Sequence, residues 1–425
     1  MNYEKQKINE TWFLRAHLLF LCNGVKNCAK SIFGIMFFAI IWLLYFMINK
    51  VLSIQSETLK GLDWLGNRTN AFVLLFIALA LSVFYFLLWG KPKGFSINKF
   101  IKIGFTNSAG ETPLPMEILY MGDKRIITFY NVGIPLDDWK DKKSKLESIF
   151  NINILDIEEN GKKSIKVTAV SGDIVLPNYV EWQDSKLSHG DFFLNLGEGY
   201  FGKVIVDLSK SPHMLIGGST GSGKSVLLKS ILHQCIKKGA QVIIADFKGG
   251  VDYSKAWQEK TLFITEKSDL IHKLDLLVDE LHRRKSLLTK ADCANIIDYN
   301  NIADEHLPRI IFACDEVAEI LDKTGLDKKQ KEEAFMIEAS LSTIARLGRA
   351  FGIHLILATQ RPDANIISGQ IKNNIDIRIC GRADNVLSQI ILDNTDASDM
   401  ISPFSQGRFL NNEGVLFQGY WFDEE

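Results

Sequence analysis

The apolar residues of this chain are spread unevenly, and their pattern changes three times. Ser31 to Asn49 (SIFGIMFFAIIWLLYFMIN) and Ala71 to Trp89 (AFVLLFIALALSVFYFLLW) contain no charged residue. Each run is long enough to cross a bilayer as a helix. Aromatic residues mark their ends, Trp42 and Tyr45 in the first and Tyr85 and Trp89 in the second. Two such runs in quick succession predict a membrane hairpin. A signal peptide fits less well, because the first run starts late and lacks a small-residue cleavage site. Residues 1–30 mix polar and apolar positions and predict an interfacial helix around Trp12 to Cys22. Residues 90–120 are rich in Gly, Pro, Asn and Ser and read as a linker.

Beyond the linker, residues 121–190 read as a small α+β domain for assembly or spacing. Strands are predicted at Lys124–Asn131, Ile152–Ile157 and Ser164–Val170, with a turn at Gly161. A helix is predicted over Asp137–Phe150, with Trp139, Leu146, Ile149 and Phe150 as its apolar positions. From 191 to 425 the pattern becomes α/β. Continuous apolar runs at 213–217, 241–245, 309–314 and 354–358 alternate with helical stretches. Such runs belong in a parallel sheet covered on both faces. Ser268–Leu288 carries apolar residues at helical spacing, and a last strand is expected over Gly414–Trp421.

Charge sets the orientation and narrows the partners. Five Lys or Arg residues precede the first run, Lys91, Lys93, Lys99 and Lys102 follow the second, and Lys50, Lys60 and Arg68 lie between. This bias places both ends in the cytoplasm and the short loop outside, so the expected location is the cell membrane, spanned twice at 31–49 and 71–89. The formal net charge is −1. Any nucleic-acid binding is therefore confined to a groove or pore. The six cysteines form no C-x-x-C pair and read as reduced. The histidines show no metal-ligand spacing.

The chemistry concentrates at Gly218-Ser219-Thr220-Gly221-Ser222-Gly223-Lys224-Ser225, which fits the P-loop pattern G-x-x-x-x-G-K-[ST]. An apolar strand precedes it and a helical run follows, as the motif requires. Backbone N–H groups and the helix N-terminus favour phosphate. Lys224 reaches the β- and γ-phosphates of ATP, and the Ser225 hydroxyl sits on Mg²⁺. Asp315-Glu316 closes the strand 309–314, where Asp315 holds Mg²⁺ and Glu316 acts as general base towards water. Gln360 ends the next strand and either senses the γ-phosphate or caps neighbouring backbone. Arg346 and Arg349 precede that strand. On their own they read as solvent-facing helix arginines.

These stretches together carry a resemblance. Pro212 to Ser225, Ala245-Asp246-Phe247-Lys248-Gly249-Gly250, Cys314 to Glu319, Gly348 to Ala364 with its H-L-I-L-A-T-Q-R-P core, Ile371 to Ile375 and Gln389 to Asp393 follow in order. In them the chain resembles the FtsK/SpoIIIE DNA translocases, and within these the TcpA-like coupling proteins of Gram-positive conjugation. The P-loop alone is common to many ATPases; the combination is far more specific. The resemblance implies a RecA-like motor that assembles as a homo-hexameric ring around DNA and holds it without sequence specificity. It makes Arg349 a finger acting on a neighbouring subunit's ATP, and Arg361 and Lys372 contacts to the DNA backbone. It implies ATP hydrolysis coupled to conjugative transfer, with a relaxase and channel proteins as partners. Chromosome or plasmid segregation, and substrate recruitment for a secretion system, are the alternatives. Two spans and a chain that ends soon after the motor favour the compact coupling form over the segregation translocases, which add a winged-helix domain.

Overall fold

The computed structural model describes residues 10–57, 63–90, 95–161, 163–248, 252–360 and 366–422. They divide into two units, 1–174 and 175–425.

The first unit holds the membrane-type helices and the small domain. Helices run over Glu10–Ala29, Ile32–Glu57 and Asp63–Gly90. Ile32–Val51 and Asn70–Gly90 are long and apolar enough to cross a membrane, and little of either is buried within the unit. The helix expected near Trp12–Cys22 is longer than the sequence indicated. It lies along Asp63–Gly90, and two glycines set the closeness of the crossing. A Cβ on Gly24 would stand 1.8 Å from the carbonyl oxygen of Phe86, and one on Gly90 would stand 1.6 Å from that of Phe20. Small residues of this kind let helix backbones meet inside a membrane. The same first helix meets the small domain, where Ala16 and Phe20 pack with Leu114 and the Asn23 amide donates to the Met116 carbonyl at 2.7 Å.

The small domain is an antiparallel four-stranded sheet in the order Leu114–Met121, Lys124–Tyr130, Ser164–Ser171, Ile152–Glu159. Residues 97–120 are not the linker that their composition indicated. Ile97–Lys102 is helical, Leu114–Met121 is an edge strand, and Phe100 and Phe105 are buried in the domain core with Phe129 and Trp139. The glycines that gave the segment its loop character sit at turns, Gly104 at φ 65° and Gly110 at φ 80°. The helix expected over 137–150 is two, Leu136–Asp141 and Lys143–Phe150, broken where Lys142 adopts φ −90° and ψ 4°. The unit ends at Ile174, so residues 175–190 belong with the second unit and not with the small domain.

The second unit is built on one ten-stranded sheet. Six strands are parallel, in the order Ile377–Cys380, Met214–Gly217, Ile353–Thr359, Ile310–Cys314, Gln241–Ala245, Leu262–Ile264. Four antiparallel strands extend it past Ile377–Cys380: Arg408–Asn411, Leu416–Gly419, Phe193–Gly199 and Gly202–Asp207. Side chains alternate between two cores, as the period of a strand requires. Met214 and Ile216 face the helix Lys224–Lys237, whereas Leu215 faces the helices Lys267–Lys290 and Lys328–Phe351. This is the RecA-like α/β arrangement, and it gathers the C-terminal ends of the parallel strands at one edge, where doubly wound sheets bind ligands.

Candidate nucleotide site

The site is assembled by strand order. The strand Ile353–Thr359 lies between the P-loop strand Met214–Gly217 and the acidic strand Ile310–Cys314. The loop after the first, the carboxylates after the second and the amide after the third therefore meet at one edge.

The loop is shaped for close backbone approach. Gly223 adopts φ 95° and opens the helix that begins at Lys224. A Cβ at Gly218 would stand 2.5 Å from the Ser222 Oγ. That hydroxyl is buried and has no partner among the described residues. Lys224 is buried; its ammonium donates to Asp315 Oδ1 at 2.9 Å and to the Asp315 carbonyl at 2.6 Å. The Ser225 hydroxyl donates to Asp315 Oδ1 at 3.2 Å. Burial alone would raise the Asp315 carboxyl, but Lys224, then Lys248 and Ser225, outweigh it and hold it below the ordinary carboxylate value. Asp315 is thus ionised beside a hydroxyl oxygen, the donor pair that a hard cation takes.

Glu316 is buried and fixed by its neighbours. The Thr359 hydroxyl donates to Oε1 at 2.8 Å and the Gln360 N–H to Oε2 at 3.0 Å. The Gln360 side-chain oxygen accepts from the Thr220 hydroxyl at 2.9 Å. Gln360 is thus tied to Glu316 through its backbone and to Thr220 of the P-loop through its side chain.

Three participants were not assigned by sequence reasoning. Lys248, in the matched Asp246-Phe247-Lys248, places its ammonium 3.5 Å from Asp315 Oδ2. Its pKa is raised: burial opposes this, and the charges of Asp315 and Glu316 prevail. Thr359 orients Glu316. Arg382, two residues after Cys380, donates to the Thr220 carbonyl at 2.6 Å. Lys248 was signalled by its motif; the other two depend on strand order.

The remaining expected residues lie elsewhere. Arg346 and Arg349 are exposed on the last turns of the helix Lys328–Phe351. The seven-residue strand that follows separates them from Gln360 by roughly 20 Å at about 3.3 Å per residue, so the chain's own fold does not bring Arg349 to its own P-loop. Its helix end is held firmly, since the buried Arg284 donates to the Phe351 carbonyl at 2.8 Å. Lys372 is ion-paired with Asp393 at 2.5 Å, and Arg378 shares that carboxylate. Its charge is compensated within the chain rather than freely presented. Arg361 lies outside the described residues.

With the geometry in view, the comparisons are specific. The FtsK/SpoIIIE family model matches residues 178–364. The DNA translocase FtsK of Treponema pallidum is 34% identical over 212 residues, 46% of this chain and 25% of that protein. The Campylobacter jejuni DNA translocase FtsK is 34% identical over 218 residues, 48% of this chain and 22% of that protein. The match thus spans about a quarter of the length of these curated relatives. The structure of the pCW3 conjugation coupling protein TcpA, in its monomer form with ATPgS, is 38% identical and superposes with a TM-score of 0.60, covering 77% of this chain and 94% of that one. Site, strand order and near-complete coverage of TcpA agree: the chain carries a P-loop ATPase domain and belongs to the FtsK/SpoIIIE family.

Proposed function

We propose that this protein is a membrane-anchored, ATP-driven DNA translocase that couples DNA to a conjugative transfer channel. The observation that carries the reading is the 38% identity to a conjugation coupling protein over 94% of that protein's chain. The two long apolar helices support the anchor, with the motor on the cytoplasmic side where ATP is available.

The site residues divide the work of hydrolysis. The P-loop N–H groups, the Ser222 hydroxyl and Lys224 bind the phosphates. Ser225 and Asp315 would hold Mg²⁺, which supplies charge neutralisation on the phosphate oxygens. Glu316 accepts a proton from water as the water oxygen bonds to the γ-phosphorus and the β–γ bridging P–O bond breaks, leaving ADP and phosphate. Thr359 and the Gln360 N–H aim the Glu316 carboxylate. The Gln360 side chain links the catalytic edge to Thr220 of the P-loop and gives a route from phosphate occupancy to movement of strand Ile353–Thr359. Arg349 serves the site of an adjacent subunit in a homo-hexameric ring. The near-neutral net charge suits DNA held in a pore by phosphate contacts, which carry no sequence information. Arg361 provides such a contact, with Lys372 secondary because it is already paired.

The reading is tested in cells. Lys224→Ala should abolish transfer of a conjugative element that depends on this protein while leaving its inheritance at division unchanged. Lost inheritance with intact transfer would support segregation. Lost protein export with both intact would support the secretion role. A relaxase co-isolated with the wild-type protein would identify the partner that delivers the DNA.

A further inference from the structure

The topology fixes the direction in which a triphosphate lies. The P-loop strand has Ile353–Thr359 on one flank and Ile377–Cys380 on the other. Asp315 and Glu316 end the strand just beyond Ile353–Thr359. The groups that act on the terminal phosphate therefore stand on that flank. The nucleoside must leave the loop on the opposite flank, over the segment that follows Ile377–Cys380.

That flank carries a loop moored to the P-loop at two points. The Arg382 guanidinium donates to the carbonyl of Thr220 at 2.6 Å and to that of Pro403 at 3.0 Å. The Gly407 N–H donates to the Ser222 carbonyl at 2.9 Å. The backbones touch there: a Cβ on Gly223 would stand 3.1 Å from Gly407 Cα. Between the moorings is Phe404, with 95% of its surface exposed. Isolated exposed apolar residues need no explanation. This one is a whole aromatic ring on a short segment tied at both ends to the phosphate loop, on the side where a base must emerge.

We propose that Phe404 is the stacking platform for the base of the bound nucleotide, with Arg382 as the positioning residue that holds its loop against Thr220. The proposal rests on the reading of residues 218–225 as a nucleotide site. A ring stacks on any base, because every base has a π-face, so the contact strengthens nucleotide binding without demanding adenine.

The test is calorimetric binding of ATP and of inorganic tripolyphosphate to the full-length protein in detergent. Phe404→Ala should weaken ATP about 10-fold, the lower part of the range for loss of a base–aromatic stack, and leave tripolyphosphate unchanged. Phe404→Trp should restore ATP affinity. Adding Arg382→Ala to Phe404→Ala should cost nothing more for ATP, because Arg382 acts through the ring. Phe404 is exposed, so its removal leaves the core intact. Equal weakening of both ligands would overturn the proposal, as would unchanged ATP binding with impaired subunit association, which would make Phe404 a contact between subunits. A further loss for the double variant would overturn the positioning role of Arg382. If the unaltered protein binds neither ligand, the nucleotide-site reading fails, and the proposal with it.

Discussion

Two buried histidines should make the second unit sensitive to mild acid. His213 opens the P-loop strand and His354 lies in the strand beside it, and both are fully buried. The His213 Nδ1 accepts from the Leu355 N–H at 2.9 Å, so it must be unprotonated. His354 Nδ1 lies 2.9 Å from the Pro212 carbonyl and its Nε2 lies 3.2 Å from the Arg309 guanidinium, which assigns the neutral Nδ1–H tautomer. Burial lowers His213 from the ordinary histidine value to about 4, against a smaller opposing pull from the Ala345 backbone. Burial, then the charges of Arg309 and His213, lowers His354 to about 3. The unfolded chain binds protons near pH 6.5 and the folded chain does not, so stability is full above that value and falls as pH drops below it. At 1.36 kcal/mol per pH unit, lowering pH from 7 to 5 removes about 2 kcal/mol for each histidine, about 4 kcal/mol together. Asp315, held below the ordinary carboxylate value, remains ionised throughout that window. The assay is urea titration of the full-length protein in detergent at pH 7, 6 and 5, followed by amide hydrogen exchange of Met214–Gly217. His213→Asn keeps an acceptor for the Leu355 N–H but cannot titrate. It should reduce the loss between pH 7 and 5 to about half. An unchanged pH dependence in that variant would show that His213 is not a source of the acid sensitivity.

Lys224→Ala should abolish ATP turnover through loss of phosphate contact, whereas Glu316→Gln should bind ATP normally and barely hydrolyse it; normal turnover in the glutamine variant would remove Glu316 from the mechanism. Arg349→Ala should bind ATP well and hydrolyse it roughly 10³-fold more slowly, as expected on losing an arginine finger. Rings mixed from Arg349→Ala and Lys224→Ala subunits should recover activity where an intact P-loop meets an intact finger, and no recovery in rings shown to be mixed would deny a role in trans. For duplex DNA measured by fluorescence anisotropy, Arg361→Ala should weaken binding more than Lys372→Ala, because Asp393 already neutralises Lys372; the reverse order would show that the Lys372–Asp393 pair opens on DNA.

The sequence made the reactive edge legible because its chemistry is local. Residues 218–225 are contiguous, and Asp315-Glu316 directly follows an apolar run, so spacing alone identifies them. Thr359 and Arg382 act through strand order, which no local pattern encodes. The long helices were legible for a related reason: Ser268–Leu288 and the membrane runs repeat their signal over many residues. Short elements failed where composition misled. Gly104, Gly110 and their polar neighbours made 97–120 look like a linker, although Phe100 and Phe105 anchor it in a core. The hairpin Phe193–Gly199 and Gly202–Asp207 escaped notice, and so did Ile377–Cys380, a strand of four residues that depends wholly on its neighbours. Arg349 was legible as a candidate only through the family resemblance. Its position at the far edge of the sheet gives it no role within its own subunit's site.

ATP hydrolysis at this site is proposed to drive the protein along DNA. The direct measurement is displacement of a triplex-forming strand from duplex DNA by the full-length protein in detergent or lipid. The expected displacement requires ATP, is lost in Lys224→Ala and Glu316→Gln, and does not depend on the sequence of the duplex. ATP hydrolysis by the wild-type protein with no displacement, on duplexes that it demonstrably binds, would contradict it.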